Sequence, residues 1–176
     1  MSTPSPSRPS LSENASQSDD TTLAPLPKEV PPFYSGVILW GRSGKLLVQQ
    51  RDDIPGIVNP GMVGTFGGGG HEGETPEEAA IREIKEELNI DLRAGDLIRL
   101  EDRERRFRGG VTIRIYSFGV INVSEEDIVC SEGELLRVDP DKIRDVPKIT
   151  PGCLAMALQL IDHVKDTRAQ HKDATA

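Results

Sequence analysis

The segment from Glu72 to Leu88, EGETPEEAAIREIKEEL, constrains the chain more than any other. It places seven glutamates on or beside one short helix: Glu72, Glu74, Glu77, Glu78, Glu83, Glu86 and Glu87. The helix is well marked at both ends. Thr75 is a good N-cap, Pro76 suits the first helical position, and Glu78 completes a capping box. Glu77 and Glu78 also suit the positive end of the helix dipole. Asn89 tolerates the left-handed conformation that ends a helix, so the spacing predicts a helix over 76–88. Ile81, Ile84 and Leu88 form an apolar stripe with Ala80 beside it. Glu83, Glu86 and Glu87 stand at i, i+3 and i+4 on a different flank, with Arg82 next to them.

Two readings of that flank are open. Acidic helix faces are commonly just solvated. Against this, like charges three and four residues apart cost about 0.2–0.5 kcal/mol per pair, and only Lys85 is interleaved to relieve them. The alternative is a set of hard oxygen ligands for Mg²⁺ or Mn²⁺, which would in turn attract phosphate. Directly upstream, Gly67 to Gly70 would let the backbone approach a metal or phosphate closely. A glycine run alone is weak, but beside the acidic trio it favours the metal.

The remainder of the chain reads as one domain with polar ends: 1–30, a Ser/Thr/Pro/Asp-rich tail expected to be disordered; 31–165, the folded domain; 166–176, a polar C-terminal tail. Tyr34–Trp40 and Lys45–Arg51 are β-branched, apolar segments joined by Gly41-Arg42-Ser43-Gly44, which predicts a hairpin. A short strand is expected near Val63–Phe66, apolar segments at Leu97–Leu100 and Glu104–Phe107, a long strand at Val111–Ile121 and another within Gly133–Pro140. Leu154, Leu158, Ile161 and Val164 predict a closing helix over Pro151–Lys165. Two helices among strands without a βαβ rhythm indicate an α+β fold, or a mixed sheet between helices. The net charge of −8 argues against a nucleic-acid partner. Cys130 and Cys153 lack metal-ligand spacing and read as inert thiols in a reducing compartment. Without an apolar leader or spanning segment, a cytoplasmic protein with no membrane partner is expected.

Gly68, Glu74, Arg82, Glu83, Ile84, Glu86, Glu87 and Ile90 match in order and spacing the Nudix box, G-x5-E-x7-R-E-U-x-E-E-x-G-U with U a bulky aliphatic. The chain resembles that family from about Phe33 to Lys165, departing at the final glycine, which is Asn89. The resemblance implies the Nudix fold, an α/β/α sandwich around a mixed β-sheet. It implies hydrolysis of a pyrophosphate bond in a nucleoside diphosphate linked to another moiety (a nucleotide or nucleotide sugar), with Mg²⁺ or Mn²⁺ as cofactor. Glu83, Glu86 and Glu87 resemble the metal-binding carboxylates and Gly67 the residue lending its carbonyl. Glu74 and Arg82 resemble the supporting pair that holds the helix to its loop. Gly68 and Arg51 are the substrate-binding candidates, although a surface salt bridge is an equal reading for Arg51.

The general base is open between a box glutamate and a later loop acid, with Glu132 preferred over Glu134. Arg103, Arg105, Arg106 and Arg108 read mostly as a solvated hairpin, from which one arginine could reach the substrate's phosphates. Trp40, Phe33 and Tyr34 are more readily core than base-stacking residues, and Asp52, Asp53 and Asn59 more readily turn formers than pocket residues. The substrate is not fixed by sequence markers. A Nudix-fold module that binds a nucleotide without cleaving it is the alternative function, and a homodimer is open.

Overall fold

The computed structural model describes residues 24–126 and 128–173, without the side chains of 171–173. Most of the polar N-terminal segment expected at 1–30, and the last three residues, lie outside the described residues. Seven strands and two long helices follow in the order β1 (Tyr34–Gly41), β2 (Leu46–Gln50), β3 (Val63–Gly64), α1 (Pro76–Leu88), β4 (Ile98–Arg99), β5 (Arg103–Arg106), β6 (Thr112–Val123), β7 (Glu134–Val138) and α2 (Pro151–Asp173).

β1 and β2 form the expected antiparallel hairpin, with Leu39 opposite Leu47 and Trp40 opposite Leu46. β1 runs parallel to β6, while β4 and β5 both pair antiparallel with β6, so the sheet is mixed. β7 covers the other edge of β2. Alternation along β1 and β2 explains why both faces are apolar. Val37, Leu39 and Leu47 pack toward Ala80, Ile84 and Leu88 of α1. Ile38, Trp40, Leu46 and Val48 pack toward Met156, Leu160 and Val164 of α2. Because a strand puts successive side chains on opposite faces, an unbroken apolar run here means a helix on each side. That is the α/β/α sandwich.

The helix α1 starts as the sequence dictates. Thr75 Oγ1 accepts from the Glu78 amide at 3.2 Å, and Glu78 Oε2 accepts from the Thr75 amide at 2.8 Å. Asn89 closes it at φ 56°, its N–H donating to Lys85 O. One expectation changes: Ile81 is only half-buried, and the covered stripe is Ala80, Ile84 and Leu88, one helical turn apart, with Glu87 buried beside them. α2 continues past the expected Lys165 to Asp173. Residues 166–173 carry no apolar stripe to signal this, but Lys, Arg, Gln and Ala are good helix formers that extend an existing helix at little cost.

β3 and the residues after it carry the fold into the site. β1 and β2 splay apart beyond Leu39 and Leu47, and the chain from Val63 to Gly70 enters the gap. Gln49 pairs with Gly64, Val37 bridges to Phe66, and Tyr34 bridges to Gly69. The glycine run is thus laid along the start of β1, with Ser35 N–H donating to Gly68 O and Gly70 N–H to Phe33 O, both at 2.9 Å. Ser35 Oγ reaches on to Pro76 O at 2.8 Å, tying the strand to the first turn of α1.

Candidate active site

This inserted segment brings Gly67 and Gly68 against the acidic flank of α1. Gly67 has φ 115°, and a Cβ there would run into the Ser35 carbonyl oxygen, so no other residue fits. Its N–H donates to Glu87 Oε2 at 2.7 Å. Gly68 lies so close to Glu83 that a Cβ would stand 2.5 Å from Oε1. Arg82 fastens the arrangement. Its guanidinium donates to both oxygens of Glu74 (2.8 and 3.0 Å), to Gly69 O at 3.0 Å and to Glu83 Oε1 at 2.7 Å. Glu74 in turn accepts from the His71 amide at 2.8 Å. The Arg82 hydrogen bonds hold the Glu74 carboxyl well down, at about 2, despite some opposing burial. The structure therefore brings Glu74 and Arg82 together, between the glycine segment and α1.

Glu83 and Glu87 line one wall of a cavity of about 680 Å³, together with Gly67 and Gly68. Glu87 is 5% exposed, and burial pushes its carboxyl up to about 7; the Gly67 N–H opposes this, while Glu83 and Glu132 add to it. Burial also raises the Glu83 carboxyl, against the hydrogen bond from Arg82. Glu86 differs from expectation. It is absent from the cavity lining, its side chain is 61% exposed, and one oxygen lies 3.5 Å from Arg82 Nη1. Helical geometry puts Glu86 on the solvent side of the flank, and Arg82 draws it back along the helix.

Glu132 takes the third place in the cavity wall. The chain before it docks on the end of α1, where the last carbonyls of any helix need donors. Val129 N–H donates to Leu88 O (3.3 Å), Ser131 N–H to Glu87 O (2.8 Å) and Ser131 Oγ to Glu86 O (3.0 Å). Buried Gln49 then donates from Nε2 to Glu132 O at 3.1 Å. Glu134 begins β7 and lies outside the cavity. Cys130 donates to Glu132 O, and burial raises its thiol and pushes that of Cys153 up to about 12, so both stay protonated.

Cations line the same cavity. Arg51, Arg103 and Arg105 all line the cavity, and no ion pair to any of the three occurs among the described residues. The salt-bridge reading of Arg51 is thereby displaced: its Nε donates to Val58 O at 2.8 Å and its Nη1 to Gln49 Oε1 at 3.2 Å. The segment 101–110 is not a simple solvated hairpin. On β5 the odd positions Arg103 and Arg105 are half-buried, while Glu104 and Arg106 are exposed. The alternation was there in the sequence, but its charged residues concealed which face was covered. Asn59 is both a turn former, at φ 54°, and a cavity residue that accepts from Arg105 at 2.9 Å. Asp52 and Asp53 do not reach the cavity. Trp40 is core; Tyr34 lines the cavity, and Phe33 packs edge-on against Tyr116.

Among the described residues no three His, Cys, Asp or Glu side chains converge closely enough to hold an ion as they stand. The donor chemistry nevertheless fits a hard divalent cation. Glu83, Glu87 and Glu132 press like charge on one another beside the backbone of Gly67 and Gly68. A complete shell including Glu86 requires its carboxylate to leave Arg82 and turn toward the cavity.

A family model, the NUDIX domain, matches residues 32–152. An RNA pyrophosphohydrolase of Gluconobacter oxydans (strain 621H) is 45% identical over 53 residues, which are 30% of this chain and 29% of that protein. The E. coli dihydroneopterin triphosphate pyrophosphohydrolase has a similar fold, with a TM-score of 0.58 at 24% identity over 74% of this chain and 96% of that one. A Nudix hydrolase from Listeria monocytogenes gives a TM-score of 0.61 at 20% identity over 77% and 96% of the two chains. At these identities the structural likeness is one of fold. No helix among the described residues is long and apolar enough to cross a membrane.

Proposed function

The chain belongs to the Nudix family, and on that premise we propose that it is a divalent-metal-dependent pyrophosphohydrolase acting on a small nucleotide or nucleotide sugar. The observation that carries this reading is a single cavity lined by charges of both signs. Glu83, Glu87 and Glu132 line it with Gly67 and Gly68, and so do three arginines without carboxylate partners. A pyrophosphate is a multiply charged anion, and such a lining offers cations to the phosphates and an acidic place for the metal ion that it needs.

Glu83, Glu86, Glu87 and the Gly67 carbonyl are the groups that would hold Mg²⁺ or Mn²⁺. When bound, the cation supplies charge neutralisation and Lewis acidity at the phosphates. The chain's own groups do the rest. Arg82 fixes Glu83 and ties α1 to the glycine segment through Gly69 and Glu74. Arg51 orients the phosphates. Glu132 is the proposed base: as the oxygen of water bonds to phosphorus, its carboxylate takes the water's proton. The bridging P–O bond breaks, and its electron pair leaves with the departing phosphate. The two free thiols suit a reducing cytoplasm, which is where we place the protein, as a monomer or homodimer.

The test is a panel of nucleoside triphosphates, sugar nucleotides, ADP-ribose and dinucleoside polyphosphates incubated with Mg²⁺, scored by chromatographic separation of the nucleotide products. Hydrolysis is expected for at least one class, and Glu86→Gln is expected to lower turnover by orders of magnitude with an unchanged circular-dichroism spectrum. Nucleotide binding without any hydrolysis would instead identify a non-catalytic Nudix-fold module.

A further inference from the structure

A guanidinium half-removed from water needs a partner, because an isolated buried cation is costly. Arg82, Arg99, Arg114 and Arg137 each sit on a carboxylate. Arg103 and Arg105 have only neutral acceptors. Arg103 Nη2 donates to the thioether of Met156 at 3.1 Å, and its Nε is buried with no partner at all. Its guanidinium lies against Gly152, where any Cβ would strike Nη1, so a glycine at the start of α2 makes room for it. Arg105 donates to Asn59 Oδ1 at 2.9 Å and lies over the Phe107 ring, 5.3 Å from its centre. Burial holds both guanidiniums below their usual range, and Arg51 adds like charge to Arg105.

Arg51, Arg103 and Arg105 line one cavity with the glutamates. Arg51 is close enough to couple by charge to both Glu87 and Arg105, and Arg103 shares the half-buried face of β5 with Arg105. The intervening Glu104 touches the lining but is an exposed residue of the other face. A polyphosphate whose scissile bond lies at the glutamates therefore has further cations to meet within the same cavity.

We propose that Arg103 and Arg105 form a subsite for the terminal phosphate of a chain that extends beyond the bond cut, so that a free triphosphate end is preferred to a diphosphate capped there by a neutral sugar. Planar forked donors suit phosphate oxygens, and two such forks on one strand can take a phosphate from two sides. The inference rests on the proposed pyrophosphohydrolase activity for its substrate class, whereas its binding arm does not.

The binding arm is calorimetric titration of inorganic triphosphate into the full chain without divalent cation. Arg105→Gln and Arg103→Met should each weaken binding about tenfold or more, while Arg106→Gln, on the exposed face of the same strand, should not. Arg103→Met places a thioether-length side chain beside Met156, and Arg105→Gln gives an independent result if that variant fails to fold. In the kinetic arm, with Mg²⁺, the wild-type kcat/KM should favour a nucleoside triphosphate over a sugar nucleotide. Both variants should raise KM for the triphosphate about tenfold and erase that preference. Unaltered triphosphate binding in the folded variants, or a wild-type preference for the sugar nucleotide, overturns the subsite. Absence of hydrolysis with intact arginine-dependent triphosphate binding overturns the activity instead and leaves the subsite standing.

Discussion

Replacing Glu87 by glutamine should make the protein more stable, and only in one range of pH. Glu87 is 5% exposed and its carboxyl is raised from the ordinary 4.5 to about 7. A raised carboxyl binds a proton in the folded state at a pH where the unfolded chain has lost it. Stability is therefore undiminished below about 4.5, falls as pH rises from there to about 7, and carries the full penalty above. At about 1.36 kcal/mol per pH unit, the rise corresponds to roughly 3 kcal/mol at pH 8. Glutamine keeps an oxygen to accept from the Gly67 N–H, which donates to Glu87 Oε2 at 2.7 Å in the wild type, but loses the charge assistance of that bond, leaving a gain of about 1–3 kcal/mol. For a domain of this size that is about 3–10 °C in Tm. The assay is thermal unfolding of wild type and Glu87→Gln in chelator at pH 4.5, 6, 7 and 8. The Tm difference should be near zero at pH 4.5 and widen to its full value by pH 8. Carboxylates distant from Glu87 titrate equally in both proteins and cancel, while relief of like charge at Glu83 and Glu132 adds to the gain in the same direction. A difference that stays flat across this range would refute the claim that buried charge at Glu87 opposes folding. Adding Mg²⁺ at pH 8 should narrow the gap by stabilising the wild type more.

Other substitutions separate what holds the fold from what shapes the site. Gly68→Ala meets only the carboxylate end of the Glu83 side chain and no backbone, so hydrolysis should fall about tenfold or more while Tm changes by less than about 3 °C; Gly67→Ala strikes backbone at a positive φ and should cost about 2 kcal/mol or more by denaturant titration. Thr75→Ala removes the N-cap of α1 and should cost about 1 kcal/mol in the same titration, with KM unaffected.

The most legible part of this protein was the part whose signals are local. The cap at Thr75, the turn at Asn89 and the hairpin of β1 with β2 follow from neighbouring residues, and each formed as expected. The pairing of Glu74 with Arg82 needed the family spacing, since eight residues of separation say nothing by themselves. What stayed hidden depends on distant partners. Nothing near Ser131 announces that it will donate to the end of α1, and nothing in EDRERR tells which charges face inward. Helical spacing placed Glu86 on the right flank but could not anticipate the pull of Arg82 on its side chain.

The docking of residues 129–131 on the end of α1 has a mechanical consequence. Helix and loop share hydrogen bonds through three consecutive carbonyls, and Gln49 anchors the far side of the loop to the sheet. The acid borne by the loop and those borne by the helix are consequently parts of one stiff bracket. A visitor entering between them meets a gap whose width is set by main-chain bonding, and loosening either piece widens the jaw for all.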